Sequence, residues 1–291
     1  MKFYKYQGTG NDFIMIDNRN NSFSDTQKKD KDFIERLCHR RFGIGADGLI
    51  LIEKSKEPNE KADFEMVYFN SDGALGSMCG NGGRCAVAFA YRLGVFEGKE
   101  TTFLAYDGLH FAKVASKENE VTEVELQMSD ISEVETNQDF YFLDTGSPHF
   151  VRFLEGETLH NFKNYPVFEE GKKVRYNERF EKEGTNVNFV VKKVANSEKN
   201  SIFVRTYERG VEDETLSCGT GVTACALSYS LHSEMLEGAI SSQKNQNLIN
   251  VETLGGNLKV RFDYKKISNS EHNFTNIFLI GAATAVFEGE M

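Results

Sequence analysis

Short apolar runs recur along the whole chain and alternate with polar turns. They are rich in Phe, Val, Ile and Tyr and bounded by Gly, Asn and Asp, the pattern of strands. They fall at Phe3–Gln7, Phe13–Asp17, Leu49–Glu53, Phe64–Asn70, Thr101–Tyr106, Val121–Gln127, Phe140–Asp144, Val187–Val191, Ile202–Tyr207, Leu258–Phe262 and Ile277–Ile280. Three stretches carry a helical period instead. Asp30–Arg41 sets Phe33, Ile34, Leu37 and Cys38 on one stripe and stops before Gly43. Gly82–Leu93 ends at Gly94 and Gly221–Leu236 ends near Gly238; both are apolar almost all round. Helices without a polar face are buried ones. A fourth helix is expected to start at Pro166, a favoured first position. Many strands and few helices, two of them buried, predict a mixed α/β (α+β) fold.

An internal echo refines this picture. Met78-Cys79-Gly80-Asn81-Gly82 opens one apolar helix, and Ser217-Cys218-Gly219-Thr220-Gly221 opens the other 139 residues later. A weaker echo pairs Gly8-Thr9-Gly10-Asn11-Asp12-Phe13 with Thr145-Gly146-Ser147-Pro148-His149-Phe150. Two such halves predict a duplication with a pseudo-twofold axis. The polar stretch Val114–Glu120 reads as the hinge between them.

Composition narrows the function. The chain has 291 residues, room for two domains, with 40% hydrophobic residues and a net charge of −10. No basic cluster stands against that charge, which argues against nucleic acid as a partner. No apolar run reaches the roughly 18 residues of a membrane span. The N-terminus has no signal-peptide core, so a cytoplasmic protein is expected. Five cysteines in a reducing compartment do not make a disulfide framework.

Cys79 and Cys218 are the chemical candidates. A cysteine just ahead of a helix meets unpartnered backbone N–H groups and the positive end of the helix dipole, and both favour thiolate. The glycines that follow let a ligand approach and present N–H groups to an anion. One such turn would fit a nucleophile or an anion site. Two related by symmetry fit a racemase or epimerase, in which one base takes a proton from one face of a carbon and the other returns one to the opposite face. Cys38, Cys85 and Cys225 lie inside helical stripes and are read as core. No metal is expected, because the cysteine spacings are unlike a zinc site and no His lies beside them. Gly8-Thr9-Gly10 is no dinucleotide loop, since it lacks the third glycine and leads into a strand.

Seven segments occur in order: Gly8–Phe13, Gly43–Gly48, Phe69–Gly73, Met78–Cys85, Gly146–His149, Asn186–Phe189 and Tyr207–Gly221. This series resembles the diaminopimelate epimerase family. The resemblance implies two pseudo-symmetric domains, each a barrel-like, mostly antiparallel sheet wrapped around a central helix. One would comprise 1–117 plus about 281–291 and carry Cys79; the other, 118–280, would carry Cys218. It implies interconversion of LL- and meso-2,6-diaminopimelate with no pyridoxal phosphate or other cofactor, in lysine and peptidoglycan precursor synthesis. It also implies a homodimer as the common assembly.

By the same resemblance Cys79 and Cys218 are the acid/base pair. Gly80, Asn81, Gly219 and Thr220 hold the reacting carboxylate. Asn11, Asn70, Asn186, Glu208 and Arg209 bind substrate, and His149 and Glu208 tune the cysteines. Two departures stand out: Ser147 replaces an Asn common in the family, and Gly48 replaces a Gln found in some relatives. Two other readings remain open, a cofactor-independent isomerase of this fold with another substrate, and a ligand-binding or thiol-redox protein without catalysis.

Overall fold

The computed structural model describes residues 1–55, 62–76, 78–156, 159–193, 200–237, 246–268 and 271–291. The chain divides into two compact units, Met1–Gln127 with Gly281–Met291, and Met128–Ile280. Val114–Glu120, the stretch read as a hinge, lies inside the first unit, where it forms the end of one strand and a hairpin turn with Asn119 at φ 52°.

The first unit contains strands β1 (Lys2–Gly8), β2 (Asn11–Asp17), β3 (Gly48–Glu53), β4 (Phe64–Asn70), β5 (Glu100–Ala105), β6 (Gly108–Glu118) and β7 (Val121–Gln127). Its helices are α1 (Asp25–Lys29), α2 (Lys31–Cys38) and α3 (Gly80–Arg92). Strands β1 to β7 pair in sequence order, and the last part of a long C-terminal strand, Gly281 onward, pairs with both β7 and β1. The result is a closed eight-stranded barrel. Helix α3 fills it, with Gly80 through Ala90 all buried. It fits because the residues facing the barrel wall are small. A Cβ at Gly82 would stand 3.2 Å from Ile50 Cδ1, and one at Gly83 would stand 3.1 Å from Leu126 Cδ2. An apolar helix inside a sheet has no solvent face, which accounts for its lack of a polar stripe.

Outside the barrel, α2 lays Ile34, Leu37 and Cys38 on Ile14, Ile16, Leu49 and Leu51. Strand β3 is thus covered on both sides, and all of Gly48–Glu53 is buried. Asp30, read as the first helical residue, is instead the cap of α2, its side chain accepting from Phe33 N–H. The helix ends at Cys38, short of Arg41, because His39 turns extended (φ −67°, ψ 121°) and the Leu37 carbonyl accepts from Ile44 N–H.

The second unit contains β8 (Glu135–Thr136), β9 (Tyr141–Asp144), β10 (Pro148–Phe153), β11 (Asn186–Lys192), β12 (Ser201–Glu208), β13 (Asp213–Thr215), β14 (Gln246–Thr253), β15 (Gly256–Lys266) and the first part of β16 (His272–Glu290). Its helices are α4 (Leu159–Phe162), α5 (Val167–Arg175) and α6 (Gly219–Glu237). The sheet order is β8-β9-β10-β11-β12-β14-β15-β16. Helix α6 packs inside this curved sheet, against β9, β10, β11, β12, β14 and β15. The expected end of that helix near Gly238 lies outside the described residues. Pro166 takes the cap position just ahead of α5, one place earlier than its ring would favour. Helix α5 covers the outer side of β11 and β12 through Val167, Val174, Val187, Phe189 and Tyr207.

The two units repeat one plan. In the first, parallel pairs fall at β2/β3 and β4/β5, with the buried helix between β4 and β5. In the second, they fall at β10/β11 and β12/β14, with the buried helix between β12 and β14. Strands β1/β2, β3/β4 and β5/β6 of the first unit, and β9/β10, β11/β12 and β14/β15 of the second, pair antiparallel.

Candidate active site

Cys79 and Cys218 hold the same place in their units. Cys79 is the cap residue of α3, extended at φ −105° and ψ 130°, and its carbonyl accepts the first helical bond from Gly83 N–H (2.7 Å). The Cys218 carbonyl accepts in the same way from Val222 N–H (2.8 Å) at the head of α6. Both cysteines are half-buried, whereas Cys38, Cys85 and Cys225 are buried. Burial pushes the Cys38 thiol up to about 11 and the Cys85 thiol up to about 12, and raises Cys225 as well, so these three stay protonated and inert.

The weaker sequence echo is structural too. Gly8–Asn11 is the turn from β1 to β2, and Asp144–Pro148 the turn from β9 to β10. Each turn ties down the helix behind the cysteine through a threonine. Thr9 Oγ1 donates to Asn81 Oδ1 (3.2 Å), and Thr145 Oγ1 donates to the Thr220 carbonyl (2.8 Å). Asn81 and Thr220 each stand two residues after their cysteine.

In the first unit Asn11 begins β2. Its Nδ2 donates to Asp47 Oδ2 (2.7 Å), which leaves Oδ1 facing Cys79 Sγ at 3.7 Å. Buried Asn81 also accepts from Arg84 Nη2 (3.0 Å), and Arg84 Nη1 donates to the Gly80 carbonyl (3.2 Å). Asn70 ends β4, and its N–H donates to Ala74 O (2.8 Å). The structure explains Gly48. A Cβ there would stand 2.5 Å from both Phe69 O and Tyr68 Cε2, so the Tyr68 ring takes the space a side chain would need.

In the second unit His149 is fully buried on β10. Its pKa is pushed down to about 3, by burial first and by the Arg209 charge second, so the ring is neutral. Its Nε2 lies 2.9 Å from Thr220 Oγ1 and 3.1 Å from Ser147 Oγ. Thr220 Oγ1 lies 3.4 Å from Cys218 Sγ. Asn186 opens β11, and its Oδ1 accepts from Arg209 N–H (2.9 Å). Glu208 ends β12, and its carbonyl accepts from Glu212 N–H (2.8 Å). Arg209 is exposed, with Nη1 donating to the Glu183 carbonyl (2.9 Å).

The geometry thus assembles Asn11, Cys79, Gly80 and Asn81 in one unit, and His149, Asn186, Arg209, Cys218, Gly219 and Thr220 in the other; Asn70 and Glu208 stand at the ends of β4 and β12. Among the described residues, no group of three or more His, Cys, Asp or Glu is placed to hold a metal ion. Two residues escaped the sequence reading. Arg84 is a fully buried charge on an otherwise apolar helix, and Asn188 a fully buried amide in an apolar strand. Both carry the same signal, a polar residue where the pattern demands an apolar one.

Solved structures share this fold. A phenazine biosynthesis protein of the PhzF family from Bacillus anthracis superposes with a TM-score of 0.69 at 15% identity, covering 100% of this chain and 98% of that one. A hydroxyproline epimerase from Agrobacterium vitis gives 0.64 at 12%, covering 100% and 90%. Among sequences, diaminopimelate epimerase of Flavobacterium psychrophilum is 48% identical over 99% of both chains. That of Aquifex aeolicus is 37% identical over 100% of this chain and 98% of its own. These sequence relatives place the chain among the isomerases of the epimerase class. The family model for diaminopimelate epimerase matches residues 3–134 and 141–284, and the chain belongs to that family.

Proposed function

We propose that this protein interconverts LL- and meso-2,6-diaminopimelate without a cofactor, using Cys79 and Cys218 as the two bases. The observation that carries this is the duplicated turn: two half-buried cysteines, each heading a buried helix, against three cysteines sealed in the core. The chemistry requires one thiol on each face of the α-carbon. One sulfur, as thiolate, takes the α-proton; the other, as thiol, delivers a proton to the opposite face, and the roles exchange with direction. An α-proton is a weak acid, so the developing negative charge needs electrostatic support. The first-turn amides at Gly80-Asn81 and Gly219-Thr220, with the helix dipoles behind them, supply it to the α-carboxylate.

The distal end of the substrate is itself an amino acid. The Arg209 guanidinium suits its carboxylate, and the oxygens of Asn11, Asn70, Asn186 and Glu208 suit its ammonium. To bind in this way Arg209 exchanges its bond to the Glu183 carbonyl for the ligand. His149 and Glu208 tune the thiols. The same reading makes the protein a cytoplasmic homodimer with one cysteine on each of two domains, acting in lysine and peptidoglycan precursor synthesis. Incubating the purified protein with LL-diaminopimelate is expected to yield the meso form. Cys79→Ala and Cys218→Ala should each lower the rate by at least about 100-fold, with Cys38→Ala close to the parent. A parent protein that leaves LL-diaminopimelate unchanged would refute the proposal.

A further inference from the structure

Asn188 lies on β11 facing the head of α6, where a Cβ at Gly221 would stand 2.6 Å from its Oδ1. Its orientation is fixed. Nδ2 donates to the Phe150 carbonyl (2.9 Å), and Oδ1 accepts from the Thr206 hydroxyl (2.9 Å). The second Nδ2 hydrogen is directed at His149 Nδ1 (3.1 Å). That nitrogen must therefore accept, and a neutral imidazole that accepts at Nδ1 carries its proton on Nε2. Asn186 is fixed in the same manner. Its Oδ1 takes the Arg209 N–H, so its Nδ2 donates to the Pro148 carbonyl (3.1 Å) and to Ser147 Oγ (3.2 Å).

These orientations assign the hydroxyl hydrogens. Ser147 Oγ faces two nitrogens that cannot accept, Asn186 Nδ2 and the protonated His149 Nε2, whose one hydrogen goes to the nearer Thr220 Oγ1, and one oxygen, Thr220 Oγ1 at 3.2 Å. Its hydrogen therefore goes to Thr220. Thr220 Oγ1 receives Ser147 and His149 on its lone pairs, and its own hydrogen is left for Cys218 Sγ. We propose that Asn188 is a positioning residue for Cys218: by holding His149 in the Nε2–H tautomer it makes the Thr220 hydroxyl a standing donor to the sulfur and favours the thiolate. A hydrogen bond donated to a charged form stabilises that form. Among charged and titratable groups, Arg209 acts on His149, and Cys225, on α6, acts with Cys218. The inference deepens the proposed function, because it rests on Cys218 being one of the two bases. It also gives Ser147 a part in directing Thr220.

The test is the pH profile of Cys218 alkylation by iodoacetamide, read on the Cys218 peptide by mass spectrometry, which needs no turnover. Thr220→Val removes the hydroxyl and keeps the branched shape. Its midpoint is expected about one pH unit above the parent's, with alkylation roughly tenfold slower at neutral pH. Thr220→Ser should restore the parent profile. Asn188→Leu should shift the midpoint in the same direction with Thr220 intact. An unshifted profile in Thr220→Val overturns the proposal, as does a parent-like profile in Asn188→Leu. Should Asn188→Leu fail to fold, the ring-nitrogen spectrum of His149 in the parent decides: a proton on Nε2 supports the assignment, and one on Nδ1 overturns it. A chain that shows the shift but does not invert LL-diaminopimelate keeps this assignment and loses the proposed reaction.

Discussion

Buried polar side chains in both units do work that no apolar residue could. Arg84 is wholly buried and bonds three neutral acceptors, the Gly80 carbonyl, Thr9 Oγ1 and Asn81 Oδ1, so that it ties the β1–β2 turn to the head of α3. His149 does the equivalent beside α6. Its folded pKa of about 3 lies below the ordinary 6.5, so folding favours the neutral ring. The stability this contributes is fully present above pH 6.5 and is lost as the pH falls towards 3. The ring nitrogens of His149 should therefore hold their neutral shifts from about pH 8 to about pH 5 in a nitrogen-15 NMR titration. A midpoint near 6.5 would contradict the buried neutral ring. Residue types at this scale were partly legible. The paired cysteines declared themselves by repetition, but Asn188 was hidden within an apolar run, because its importance lies in three-dimensional partners that a linear pattern does not display.

At the scale of elements, the apolar helices and most strands could be read directly, since each buries a continuous or alternating face. The strands that escaped were β6, β8, β10, β13 and β14. Strand β6 presents Ser116, Lys117 and Glu118 at an exposed end, so its tail looked like a linker. Strand β10 opens with Pro148, which reads as a turn, although the residue sits where the strand begins. An ion cluster pins the first hairpin. Asp12 on β2 meets Lys5 on β1 at 2.7 Å and Arg40 at 2.7 Å, and Lys5 is almost wholly buried. Burial alone would raise the Asp12 pKa, but hydrogen bonds from Arg40 and Lys5 outweigh it and hold the carboxyl well below its ordinary value. The depressed pKa means stability present above the ordinary 3.8 and lost as the pH falls below it. Asp12→Asn leaves Lys5 buried without its carboxylate and should cost about 3 kcal/mol near neutral pH. It should also flatten the acid limb of stability, as followed by urea midpoints below pH 4. An unchanged acid limb would show that the cluster carries no such weight.

At the scale of the whole chain, the duplication is the organising fact. The repeated Cys-Gly-x-Gly turn gave it away in the sequence, and the matched parallel pairs at β2/β3 and β10/β11 display it in the fold. What linear patterning could not supply was closure. Strand β16 spends its first part in one unit and its last part sealing the barrel of the other, through pairing partners far apart in sequence. A duplicated chain with one half-buried cysteine heading the buried helix of each unit fits a two-base reaction. The most direct measurement is the conversion of LL-diaminopimelate in heavy water, followed by mass spectrometry and proton NMR of the product. Each inverted α-carbon is expected to carry deuterium taken from solvent, at the rate of inversion. Meso product that retains the original hydrogen at the inverted carbon would contradict it.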